Sequence, residues 1–121
     1  MGRIVRAALA AALAAVAGIG LVGCSGADEP GPDAVVIDVR TPDEYAAGHL
    51  EGALNVDVQA ADFTARIAEL DPEAGYVLYC RSGSRAGVAA DQMAALGFDD
   101  VTNAGSLEAA ADATGLDVVT S

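Results

Sequence analysis

The sequence predicts an α/β fold in which a small central parallel sheet is flanked by helices. Three observations carry that expectation. Short apolar, β-branched runs alternate with segments of helical pattern. The helical segments are bracketed by start and stop residues, and a cysteine closes one of the strands just ahead of a glycine-bearing turn. With 121 residues and 53% apolar content the chain suits one core rather than two.

Val35–Val39, reading VVIDV, is the first strand, of the kind buried on both faces of a parallel sheet. TPDE follows, with Thr41 as N-cap, Pro42 at the first helical position and Glu44 three residues after the cap, a capping box. That helix is expected to run to Ala47 and stop at Gly48. Gly52–Val56 gives a second strand. Asp62–Leu70 reads as a helix with Phe63, Ile67 and Leu70 on one face, ended by Asp71-Pro72. Gly75–Cys80 is the third strand, Arg85–Leu96 a helix with Val88, Met93 and Leu96 inward and a stop at Gly97, and Phe98–Asn103 the fourth strand.

Residues 1–23 have the form of an export signal. Arg3 and Arg6 supply a positive start, Ala7–Leu21 is apolar and uncharged, and LVGC at 21–24 places small residues before Cys24. This segment resembles a bacterial lipobox, which implies lipidation of Cys24 with acyl chains such as palmitate, and an extracytoplasmic lipoprotein anchored to the cell membrane. The apolar run is shorter than the ~20 residues of a spanning helix and has no basic flank after it. Residues 24–33 then form the lipidated cysteine and a flexible tether, SGADEPGPD, and residues 34–121 the folded domain. Fully extended, the tether reaches about 30 Å at about 3.4 Å per residue.

Without Arg3 and Arg6 the remainder holds Arg40, Arg66, Arg81 and Arg85 against the same 18 acidic residues, a formal charge of −14. Nucleic acid and anionic lipid surfaces are therefore poor partners, no nucleic acid is expected to bind, and membrane attachment rests on the acyl chains. With Cys24 lipidated, Cys80 is the one free thiol. An internal disulfide is then ruled out, and one Cys with one His, His49, cannot complete a zinc site. No metal or organic cofactor is expected, and the expected unit is a monomer.

Cys80 is followed by Arg81, Ser82, Gly83, Ser84 and Arg85, so within five residues the chain turns from strand to helix. Gly83 gives the freedom to curl the loop amides around the sulfur. Convergent N–H groups, a helix N-terminus and two guanidinium groups all favour an anion, which predicts a thiol pKa below the ordinary value and a thiolate nucleophile at neutral pH.

DVRTPDEYAAGHLEGALNV at 38–56, with YCRSGSRAG at 79–87, is similar to the single-domain rhodaneses, a sulfurtransferase family. The resemblance spans 35–103. It implies the rhodanese-like three-layer fold and a catalytic Cys80 that carries sulfane sulfur as a persulfide. It places the anion-binding loop on Arg81, Ser82, Gly83, Ser84 and Arg85, with the amide of Ala86 closing the ring. The implied partners are small sulfur donors, thiosulfate or polysulfide, and thiol, sulfite or cyanide acceptors. Two departures stand out. Only the tether precedes Val35 where the family usually has a strand and a helix, so the sheet is expected to lack that strand. After Asn103, Gly105 and Ser106 stand where the family tends to have a Gly-Gly and then a Trp.

Asp38 and Arg40, at a strand end, are expected to fix loops by ion pairing, His49 to be hydrogen-bonded in a structural role, Glu44 to serve the capping box and Tyr45 the core. Tyr76 and Tyr79 flank the third strand, one of them at the pocket. Two other readings compete: a non-catalytic persulfide carrier or partner-binding module, and a cysteine phosphatase. The second needs five residues between Cys and Arg to ring a phosphate, whereas four separate Cys80 from Arg85 and Ala86 stands at the arginine's place.

Overall fold

The computed structural model describes residues 33–121. Cys24, the stretch expected to be an export signal and most of the expected tether lie outside the described residues. The elements in chain order are β1 (Val35–Asp38), α1 (Pro42–Ala47), β2 (His49–Leu50), β3 (Leu54–Asn55), α2 (Phe63–Ile67), β4 (Tyr76–Cys80), α3 (Ser84–Ala95), β5 (Val101–Ser106), α4 (Leu107–Thr114) and β6 (Val118–Val119). The main sheet has the order β3-β1-β4-β5 and is parallel throughout. A two-stranded antiparallel ribbon, β2 with β6, stands apart from it.

Alternation along β4 creates two cores. Tyr76, Leu78 and Cys80 turn to one face, where they pack with Ile37, Phe63, Ile67, Ala86, Ala89 and Met93 from β1, α2 and α3. Val77 and Tyr79 turn to the other, against Leu50, Ala53 and Ala110, with Tyr45 and Leu107 at its margin. The sheet is thus the middle of three layers, buried on both sides, which is why β4 is buried at all five positions.

The α/β class and the parallel sheet hold as expected from sequence, with corrections in detail. The last sheet strand starts at Val101, three residues later than expected. Phe98, expected in that strand, instead sits buried in the core with its ring edge-on to Tyr76 at 5.4 Å. In α3, Val88 and Leu96 are exposed, not inward. The buried stripe is Ala86, Ala89 and Met93; Val88 lies across the helix from Ala86, and Leu96 is the cap residue beyond its last turn. Helix α2 covers five residues, and Leu70 packs on the core from the turn after it. Helix α4 and the β2–β6 ribbon have no counterpart in the sequence reading. Among the described residues β1 is the first element, and it is an inner strand.

Candidate active site

Cys80 ends β4 and is buried, 1% exposed. Directly after it the chain reverses through Arg81, Ser82 and Gly83 into α3. Gly83, the N-cap of α3, has φ +97, and a Cβ there would come within 3.2 Å of the Gly105 Cα. The loop and the end of β5 therefore touch backbone to backbone, which only glycine allows. Asn103 fastens the same contact: its side-chain N–H donates to the Gly83 carbonyl at 2.9 Å and its Oδ1 accepts from the Gly105 amide at 2.9 Å.

This turn brings the Gly83 amide to 2.9 Å from the Cys80 sulfur, donating to it. Burial pushes the thiol pKa up. The backbone amides of Ala86, Ser82, Gly83 and Arg85 outweigh that penalty, and the thiol lies below its ordinary value. The fixed dipoles of four peptide groups thus favour the thiolate, as expected of a nucleophile rather than of an inert core cysteine.

The two loop arginines separate. Arg81 is exposed and makes no ion pair among the described residues. Arg85 is held by Glu44, Nη1 to Oε1 at 2.8 Å and Nη2 to Oε2 at 3.0 Å. Glu44 also accepts from the Thr41 amide and hydroxyl, completing the capping box. The Arg85 hydrogen bonds, aided by those from Thr41, hold the Glu44 carboxyl down to about 2. Its capping box is thus half of its role. The carboxylate also ties the start of α1 to the start of α3 across 41 positions.

Asp38 and Arg40 form a buried pair behind the loop. Arg40 Nε and Nη2 reach the Asp38 carboxylate at 2.9 and 2.6 Å, and Nη2 also donates to the Gly48 carbonyl at 2.6 Å. The Asp38 hydrogen bond raises the Arg40 pKa against the opposing effect of burial. Asn55 braces the same turn by donating to the carbonyls of Asp38 and Arg40. His49 is buried, stacks on Tyr45 at 3.6 Å and lies 2.7 Å through Nδ1 from the Tyr45 carbonyl, a hydrogen-bonded place in the α1–β2 corner. Tyr79 accepts from the Leu50 amide and lies fully buried, and burial pushes its hydroxyl pKa up. Tyr76 donates to the Asp71 carbonyl at the opposite end of the strand.

Sequence reasoning passed over Asn103, Asn55 and the Glu44–Arg85 link. Asn103 carried a readable signal, an Asn closing the expected fourth strand two residues before Gly105, whereas Asn55 acts on the Asp38–Arg40 turn of a neighbouring strand and only the sheet brings them together. The third spans 41 positions and needs the fold to be seen.

Residues 26–112 match the Rhodanese-like domain family, and the chain belongs to it. It is 32% identical over 72 residues to the thiosulfate sulfurtransferase PspE of Escherichia coli (strain K12), covering 60% of this chain and 69% of the relative. It is 45% identical over 69 residues to the thiosulfate sulfurtransferase GlpE of Pseudomonas fluorescens (strain SBW25), covering 56% and 61%. Among solved structures, a rhodanese with anions from E. coli superposes with a TM-score of 0.60 and 28% identity, over 72% of this chain and 98% of that one. The protein hp1203 of Helicobacter pylori gives 0.59 and 29%, over 73% and 79%.

Proposed function

We propose that the protein is a sulfurtransferase that moves a sulfane sulfur from thiosulfate or a polysulfide to a thiophilic acceptor through a persulfide on Cys80. The observation that carries this reading is the Gly83 amide 2.9 Å from the Cys80 sulfur, with the neighbouring amides lowering the thiol pKa. Thiolate Cys80 attacks the outer sulfur of thiosulfate. The donor's S–S bond breaks, and sulfite leaves with the electron pair. Amides of Ser82, Gly83, Arg85 and Ala86 then hold the charge on the persulfide, and Arg81 meets the incoming anion. The sulfurtransferase names of the relatives and the anions of the E. coli neighbour agree with this reading.

A second reading is favoured by the burial of Cys80 at 1% exposure: a carrier that stores the persulfide and releases it once, to a partner. Mass spectrometry of the thiosulfate-treated domain is expected to show a gain of about 32 Da, one sulfur, on Cys80. Cys80→Ser is expected to lose both that adduct and sulfur transfer to cyanide while staying folded. Repeated turnover supports the enzyme, a single discharge the carrier, and no adduct overturns both.

The domain is proposed to work outside the cytoplasm, anchored through lipid on Cys24. The LVGC pattern after an apolar run supports this. Cys24→Ala is expected to leave the protein uncut or released from membranes; unchanged processing and retention overturn the anchor.

A further inference from the structure

Beside the sulfur loop lies a cleft of about 230 Å³, lined by Arg40, Arg81, Leu107 and Glu108. It is smaller than the roughly 300–1,000 Å³ of sites for drug-sized molecules. Cys80 pairs with Ser106 across β4 and β5, so Arg81 and Leu107 are the residues that immediately follow that pair. The cleft thus opens one residue beyond the nucleophile. Cys80 itself does not line it, but a persulfide carries the reactive sulfur about 2 Å beyond Sγ.

The charges in the cleft are not satisfied by one another. Arg81 and Glu108 both face it, yet no ion pair joins them among the described residues. Arg40 is 6% exposed, and its Nε and Nη2 are taken by Asp38 and Gly48. Its Nη1 has no protein partner among the described residues. No buried side-chain nitrogen there is left unpartnered, so Nη1 keeps an opening, and the cleft is the space that Arg40 lines. A cation, the outer edge of a second cation and an anion therefore surround one small volume, with Leu107 as an apolar wall.

Resting on the sulfurtransferase reading, we propose that this cleft is the acceptor subsite and that it takes a small zwitterionic thiol, an α-amino acid bearing –SH. Arg81 and Arg40 Nη1 would hold its carboxylate and Glu108 its ammonium group. The transfer step is a displacement at sulfur. The acceptor thiolate attacks the outer sulfur of Cys80–S–SH, a new S–S bond forms, and the bond to Sγ breaks. Cys80 leaves as thiolate with the electron pair, and the acceptor departs as its persulfide, with no net oxidation.

The test uses the chain loaded with thiosulfate and freed of excess donor, then discharged by cyanide, cysteine, 3-mercaptopropionate, cysteamine or 2-mercaptoethanol, compared at equal thiolate concentration. Cysteine is expected to half-saturate at about tenfold lower concentration than 2-mercaptoethanol, the scale of a hydrogen bond to a charged group. Glu108→Gln is expected to erase the advantage of cysteine over 3-mercaptopropionate, and Arg81→Ala the advantage of either carboxylate. Equal half-saturation for all four thiols, with normal discharge by cyanide, overturns the subsite alone. Absence of any persulfide overturns the sulfurtransferase reading instead. In that case titration with S-methylcysteine, which cannot react, decides the cleft: shifted amide resonances at Leu107 and Glu108 uphold it, and none overturns it.

Discussion

Asp38 and Cys80 end two neighbouring parallel strands, both are buried, and their charged forms are kept in opposite ways. On the Asp38 side a charged side chain answers a charge: the Arg40 guanidinium gives the carboxylate two hydrogen bonds, beside a third from the Arg40 backbone amide. On the Cys80 side the charge is met by backbone, the amides of the turn from Ser82 to Ala86. A single substitution can strip the first arrangement and leave its partner stranded. The second has no side chain to remove and yields only when the backbone path changes.

The largest effect is therefore expected at the side-chain pair. Asp38→Ala leaves Arg40 buried with its main partner gone, and breaking a buried pair from one side costs about 3–5 kcal/mol. That is a large share of the ~5–15 kcal/mol of a typical domain. Urea denaturation is expected to show the loss, and Asp38→Ala combined with Arg40→Met to recover most of it. If the double variant is as weak as the single one, the pair acts through packing rather than charge.

The two regions also differed in how far the sequence could be read. VVID and YVLYC are runs of buried β-formers, and the structure places both strands within one residue of their expected ends. Thr41 and Glu44 form the expected capping box because cap chemistry is local. Local chemistry also marks α4: Ser106 caps it, strong helix formers fill it, and Gly115 ends it with φ +75. A search of that stretch for Gly-Gly and Trp passes over this signal. Strands β2 and β6, of two residues each, have no period to read, and only their pairing defines them. At the site, Cys80 and Gly83 were legible from the short turn. The fate of the two arginines was not, because nothing near Arg85 in sequence announces Glu44 as its partner.

The backbone side can be broken at one point. Gly83→Ala must hold φ near +97 and press a Cβ to 3.2 Å from the Gly105 Cα. Strain of that kind costs about 1–3 kcal/mol, and relaxing it moves the Gly83 amide off the sulfur. The Cys80 pKa is expected to rise, read as the midpoint of iodoacetamide reactivity against pH, with sulfur transfer falling in step. An unchanged midpoint would mean that the other amides suffice and that this turn is less exacting than its geometry.

The smallest effect belongs to the link between the two arrangements, where a side-chain pair steadies the backbone loop. Glu44 titrates at about 2 when folded, against an ordinary value of 4.5, so its contribution is fully present above pH 4.5 and is lost as the pH falls toward 2. Glu44 and Arg85 are 25% and 24% exposed, and solvent screening limits the pair to about 1 kcal/mol. Glu44→Gln is therefore expected to be less stable than the wild type by up to about that amount at pH 6, with the gap closing by pH 2. Comparing the two proteins at each pH cancels the neutralisation of the other carboxylates, which acts on both. Arg85 is also the residue whose amide helps hold the thiolate, so iodoacetamide reactivity read on the same samples separates two roles. A stability gap with an unmoved thiol midpoint makes the pair a strut between α1 and α3. A thiol midpoint that shifts with it makes Glu44 a positioning residue for the nucleophile, and a gap that persists at pH 2 removes the carboxylate's charge from the explanation.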